Sequence, residues 1–117
     1  MLVTLVLAAA ATALAAPAKQ AACSDGIMTY YEPGLGACEQ TNNGDEPVVA
    51  VSALLFDEQR PCGRRIRINY HGRTAEVGVV DRCTGCARND LDVSPAVFTK
   101  LAGSLDAGRL PISWEWI

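Results

Sequence analysis

Val77-Gly-Val-Val80-Asp81-Arg82-Cys83-Thr-Gly-Cys86-Ala-Arg-Asn89-Asp90-Leu-Asp92-Val-Ser94-Pro95-Ala-Val-Phe98 is the stretch whose reading decides the fold. It opens as an apolar run, Val77 to Val80, bounded by charge, which is the pattern of a buried strand. Asp81 and Arg82 fall where that strand should end. Cys83 to Cys86 makes a tight loop, and Asn89 to Asp92 forms a short extended piece carrying a second carboxylate. Ser94 and Pro95 then open a helix, Ser as N-cap and Pro in the first turn. Two acidic side chains, Asp81 and Asp92, thus bracket one cysteine-bearing loop, and any chemical site is expected there.

Working outward, short strands recur between turns. Arg64 to Tyr70 alternates, with Ile66, Ile68 and Tyr70 on one side and Arg65, Arg67 and Asn69 on the other. His71-Gly72 has the composition of a two-residue hairpin turn, and Arg73 to Val80 is the return strand. Ile27 to Tyr31 reads as a first strand with Thr29 and Tyr31 on a single face. Val48 to Val51 is continuous in its apolar character and is expected to be buried on both faces. Leu110 to Ile117 is the last strand, with Ile112, Trp114 and Trp116 alternating against Ser113 and Glu115. Ser52 to Asp57 begins a short helix, and Pro95 to Ala102 places Val97, Phe98 and Leu101 on one helical face. Six short strands, two small helices and many turns predict a mostly β, closed or nearly closed architecture.

The N-terminus reads differently. Leu2 to Ala16 is apolar except for Thr4 and Thr12, too short to span a bilayer and suited to a signal-peptide core. Ala13-Leu-Ala15 and Ala16-Pro-Ala18 both fit the small-x-small cleavage rule. Residues 1–18 are therefore expected to be a signal peptide, 19–25 a short leader, and 26–117 a single domain secreted to the extracellular space without a membrane role. A domain of this size builds a modest core, so cross-links matter. Five cysteines, at 23, 38, 62, 83 and 86, suit an oxidising compartment, and the odd count leaves at least one over or paired with another chain. The net charge is −3 with both signs interspersed, which gives no case for nucleic acid.

The residues that carry chemistry are few. Asp81 and Asp92 have the pairing that glycosidic acid–base chemistry uses, at about 5 to 9.5 Å. Against that, Asp81 reads as a strand-ending residue paired with Arg82 or a loop amide, and Asp92 as a brace for the turn before Ser94. Cys83-x-x-Cys86 lacks the helix N-terminus that lowers a redox thiol's pKa, and four zinc ligands are not in view. A structural disulfide is preferred, within the loop or to another cysteine; no metal and no cofactor are expected. His71 reads as an exposed turn residue, and Arg64, Arg65 and Arg67 as a solvated face more than a binding patch. Tyr31 is the best groove-lining aromatic.

Taken in order, Thr29-Tyr-Tyr31, Gly34 to Cys38, Val48 to Ser52, Cys62-Gly63, Val80-Asp-Arg-Cys83, Asp90 to Phe98 and Ile112-Ser-Trp114 resemble the rare-lipoprotein-A-like, barwin and expansin superfamily. The resemblance runs over residues 26 to 117 and is closest to the small secreted single-domain fungal members. It implies a six-stranded double-psi β-barrel with short helices and a groove across one side. Thr29, Asp81 and Asp92 match polar groove residues of the expansin barrel, and Asp92 also matches the acid that is catalytic in hydrolytic and lytic relatives. Glu32 falls near a second acid of the family-45 glycoside hydrolases. The resemblance pairs Cys38 with Cys62, makes Cys83–Cys86 the second bridge and leaves Cys23 unpaired; it places Trp114 in the barrel core. Cys83 stands where expansins carry a groove aromatic, Glu39 replaces the usual Gly, and the second, carbohydrate-binding domain is missing, which argues against expansin-type wall loosening. The expectation is a monomeric, non-catalytic module whose groove of Thr29, Tyr31, Asp81 and Asp92 binds cell-wall polysaccharide or a secreted protein target. The alternatives are a lytic-transglycosylase-like enzyme using Asp92, and a cysteine-protease inhibitor using the loop from Gly34 to Asn43.

Overall fold

The computed structural model describes residues 2–4 and 23–117. The signal-peptide reading of residues 1–18 and most of the leader rest on residues 5–22, outside the described residues. The hairpin forms one wall: β3, Arg65–Tyr70, and β4, Arg73–Cys83, pair antiparallel from Tyr70↔Arg73 to Arg65↔Gly78. His71 and Gly72 both take positive φ, 46° and 79°, so the turn's twist matches that of the strands it joins. β4 continues through Asp81 to Cys83, where the sequence suggested an end at Val80. It does so because β2 supplies partners for Asp81, Arg82 and Cys83.

The other strands are β1, Ser24–Tyr30; β2, Val48–Ser52; β5, Leu91–Val93; and β6, Leu110–Trp116. β1 starts inside the stretch read as leader, because Ser24 and Asp25 pair with Trp114 and Ser113 of β6. The six strands close in the order β1-β5-β2-β4-β3-β6. The β1–β5 and β2–β4 pairs are parallel, and the rest antiparallel. Among the described residues this ladder closes on itself and leaves no strand edge unpaired along it.

Alternation sends Met28, Val49, Val51, Ile66, Ile68, Val77, Val79, Leu91, Val93, Ile112 and Trp114 inward. Helix α1, Ala53–Gln59, leaves β2 with Ser52 as N-cap; its hydroxyl accepts from the Leu55 N–H at 3.1 Å and donates to the Arg88 carbonyl at 2.8 Å. Helix α2, Pro95–Ala102, adds Val97, Phe98 and Leu101 to the core. Ser94 precedes it but does not cap it through its side chain. Its buried hydroxyl donates instead to the Glu46 carbonyl at 2.6 Å, tying the helix to the loop before β2. Trp114 Nε1 donates to the Asn89 carbonyl at 2.8 Å. That carbonyl occupies the space a Cβ at position 26 would need, so β1 carries Gly26 there.

Two disulfides complete the frame. Cys38–Cys62 joins the loop after β1 to the turn after α1, and Cys83–Cys86 closes the loop after β4. Cys23 is a free, exposed thiol.

Candidate functional site

One irregularity of the sheet builds the site. β2 and β4 run in register through Val48↔Gly78 and Val49↔Val79, then slip so that Ala50 faces Asp81. The extra residue is Val80. Since Val77 and Val79 point inward, strict alternation would carry Asp81 into the core. The bulge shifts the phase and returns Asp81 to the outer face. On its other side Ala50 faces Asp92, and Asp92 faces Thr29. A row Thr29–Asp92–Ala50–Asp81 thus crosses four strands. At a strand spacing of about 4.8 Å, the two acidic residues stand about 10 Å apart at the backbone. Ala50, buried between them, is the short floor residue of the row.

The two carboxylates are held differently. Asp81 Oδ1 accepts the Ala37 N–H at 2.9 Å and the Arg82 N–H at 2.8 Å. The loop carrying Ala37 reaches it because Gly36 has no Cβ to meet the Val80 carbonyl, which also accepts from the Cys38 N–H at 3.1 Å. Asp92 takes no backbone bond; Thr29 Oγ1 donates to its Oδ1 at 2.9 Å. Burial pushes the Asp92 carboxyl above the usual carboxylate range; the Thr29 hydroxyl pulls against this, and the Asp81 charge adds to it. The turn-bracing role expected of Asp92 belongs to Asp90, which accepts from Ile27 N–H at 3.1 Å and Ala87 N–H at 3.0 Å.

Tyr31 lies one residue past β1, and its N–H bonds the Val93 carbonyl at 3.0 Å, extending the β1–β5 ladder. Its hydroxyl is buried close to Asp81, with which it is in hydrogen-bonding contact. Burial raises the phenol far above its usual range, and the charges of Asp81 and Asp92 raise it further. Thr29, Tyr31, Asp81 and Asp92 therefore share one surface.

Glu32 is not part of it. It lines a separate concavity of about 420 Å³ with Asn43, Gly44 and Asp45. His71 sits on the hairpin tip, stacked on Tyr70 with ring centroids 4.1 Å apart. The arginine cluster is internally satisfied: Arg67 pairs with Glu76 at 3.1 Å and Glu115 at 3.2 Å, and Arg64 lies 4.0 Å over the Trp116 ring. Sequence reasoning missed Ala50 and the clamp of Arg82 on Asp57, at 2.9 and 2.7 Å, which ties α1 to the end of β4. The signal for Ala50 was a single small residue inside a valine run.

No protein-family model matches the chain. Among curated proteins, it is 37% identical over 101 residues to the papain inhibitor of Streptomyces mobaraensis, covering 79% of this chain and 70% of that one. It is 34% identical over 110 residues to EG45-like domain containing protein 2 of Arabidopsis thaliana, covering 83% and 82%. The chain belongs to the barwin and expansin family of double-psi β-barrels. Among solved structures, the Streptomyces papain inhibitor aligns with a TM-score of 0.73 at 34% identity, over 82% of this chain and 94% of the other. A Clavibacter michiganensis expansin mutant in complex with cellohexaose aligns with a TM-score of 0.74 at 29% identity, over 82% and 50%. The family member Allergen Asp f 7 of Aspergillus fumigatus is 35% identical over 113 residues, 91% of this chain but 41% of that protein. Its Arthroderma benhamiae homologue is matched over 28% of its length.

Proposed function

We propose that the protein is a secreted, non-catalytic module that binds cell-wall polysaccharide across the row Thr29–Asp92–Ala50–Asp81, with Tyr31 beside it. The observation that carries this reading is the outward-facing row itself: Thr29 and Asp92 joined at 2.9 Å, Asp81 on the far side of the short Ala50, and the Tyr31 hydroxyl close to Asp81. Such a row offers hydroxyl donors beside carboxylate acceptors, and a sugar hydroxyl is small, neutral and able to both donate and accept. The related expansin's complex with cellohexaose supports a glucan-type chain as the ligand. Two-carboxylate hydrolysis fits less well, because Asp81 serves as a strut, with one oxygen held by two amides. The apolar N-terminal stretch supports export.

The test is binding of wild type, Asp92→Asn and Tyr31→Phe to insoluble cellulose, chitin and peptidoglycan, with reducing-end and muropeptide release measured alongside. Wild type should bind at least one polymer and release no soluble product. Asp92→Asn should weaken binding by at most about tenfold, the value of one lost hydrogen bond. General acid–base catalysis is worth about 10²- to 10⁴-fold. Product release that vanishes in a folded Asp92→Asn would therefore replace this reading with the lytic one.

A second reading, inhibition of a cysteine protease, is favoured by one feature besides the papain-inhibitor relative. The loop from Gly34 to Asn43 is pinned by Cys38–Cys62 and a Leu35↔Thr41 bridge, and it presents Leu35 at 77% exposure. Titration of papain with wild type and Leu35→Asp decides it. Inhibition by wild type that is lost in the variant would support it, and no inhibition would end it.

A further inference from the structure

A concavity of about 560 Å³ lies across β1, β6 and β3, on the side of the barrel away from β2. Asp25, Asn69 and Ser113 line it, and the sheet register extends their row to Thr74, just beyond the lining. Asp25 of β1 faces Ser113 of β6, Ser113 faces Asn69 of β3, and Asn69 faces Thr74 of β4. The inward neighbours Ile68, Ala75 and Ile112 are buried, so these four side chains stand together on the outer face. Each carries a hydroxyl, amide or carboxylate, and none of the four hydrogen-bonds another described residue. Two residues along the same wall the pattern is the reverse: Arg67 pairs with both Glu76 and Glu115. The unpaired polar row is flanked by an apolar strip, the facing pair Ile27 and Pro111 together with His71 stacked on Tyr70.

We propose that this wall is a second carbohydrate-binding site, which takes a neutral sugar residue. A pyranose has an apolar ring face and equatorial hydroxyls. The strip of Ile27, Pro111 and His71 offers the first a surface, and Asp25, Ser113, Asn69 and Thr74 offer the second both donors and acceptors. The closed ladder gives a peptide no strand edge to join, and the Asp25 carboxylate disfavours an anionic ligand. The site stands apart from the Asp92 row, so it does not depend on that row's function. With both occupied, one barrel would bridge two glycan segments.

The test is an amide-resolved NMR titration of the ¹⁵N-labelled protein with cellohexaose, laminarihexaose, chitohexaose and, as the anionic control, a galacturonate hexamer. At least one neutral oligosaccharide should shift the amides of Asp25, Asn69, Thr74 and Ser113 in a saturable way. Asp25→Ala with Asn69→Ala should weaken that binding about fivefold or more, given about two- to tenfold per lost hydrogen bond, and leave any shifts around Asp92 unchanged. The spectrum itself reports whether the variant is folded; if it is not, Ser113→Val replaces it and should weaken the same shifts. Failure of every neutral probe to move these amides, movement by the anionic control alone, or binding that survives the substitutions in a folded variant would each overturn the proposal. Shifts confined to the residues around Asp92 would overturn it while leaving the first site standing.

Discussion

Removing Cys38–Cys62 should destabilise this protein more than any other covalent change. The two cysteines are separated by 24 residues in sequence, whereas Cys83 and Cys86 are separated by 3. In the chain-entropy account, the longer loop is worth about 3.5 kcal/mol at 25 °C and the shorter about 2 kcal/mol. For a domain of this size each kcal/mol moves the midpoint by about 4–8 °C, so the double variant Cys38→Ala/Cys62→Ala should melt roughly 14–28 °C lower than wild type. Cys83→Ala/Cys86→Ala should lose about half of that. The structure adds a local consequence. Cys38 anchors the loop whose Ala37 N–H holds Asp81, so loss of the longer bridge should also free that carboxylate and weaken ligand binding at the row. The assay is thermal unfolding by circular dichroism for both double variants, with Cys23→Ala as a control expected to match wild type. Equal losses from the two double variants, or a loss from Cys38→Ala/Cys62→Ala no larger than that from Cys23→Ala, would refute the reasoning.

Asp92 has a folded-state pKa above its unfolded value, so the folded protein binds more protons there than the unfolded chain. Stability therefore falls as pH rises from the ordinary carboxylate value through the raised one. Asp92→Asn should accordingly be as stable as wild type or more so at pH 7, with the difference shrinking towards pH 3; melting curves at the two pH values check this, and a variant less stable at pH 7 would contradict it. Ser52→Ala removes both the α1 cap and the bond to the Arg88 carbonyl at a fully buried site, so it should cost about 2–3 kcal/mol in urea unfolding; a cost under about 0.5 kcal/mol would show that the cap is dispensable.

Much of the barrel was legible in the chain because its strands announce themselves locally. The alternation of Ile66 and Ile68 against Arg65 and Arg67, the His71-Gly72 turn and the valine run at 48–51 are short-range patterns. A two-residue period or a turn composition fully expresses their physics. The Ser52 cap and the Pro95 start of α2 are local in the same way. What no local pattern holds is which strand lies beside which. The parallel β2–β4 pair forms between segments far apart in sequence, and its slip at Val80 decides that Asp81 faces outward. Read by alternation alone, Val77 and Val79 would send Asp81 inward. Ser94 looked like a cap and instead holds Glu46, because the loop before β2 arrives above it only in the folded barrel. The arginines read as a solvated face in the sequence, but that Glu76 and Glu115 would pair with Arg67 depends on β4 and β6 lying beside β3. The sequence by itself determined the elements, the cysteine-bracketing acids and the family likeness, since each rests on residues close together or on motif order. The tertiary structure alone decided the two polar rows, because a row across a barrel is a matter of register between strands, and register is set when the strands pack.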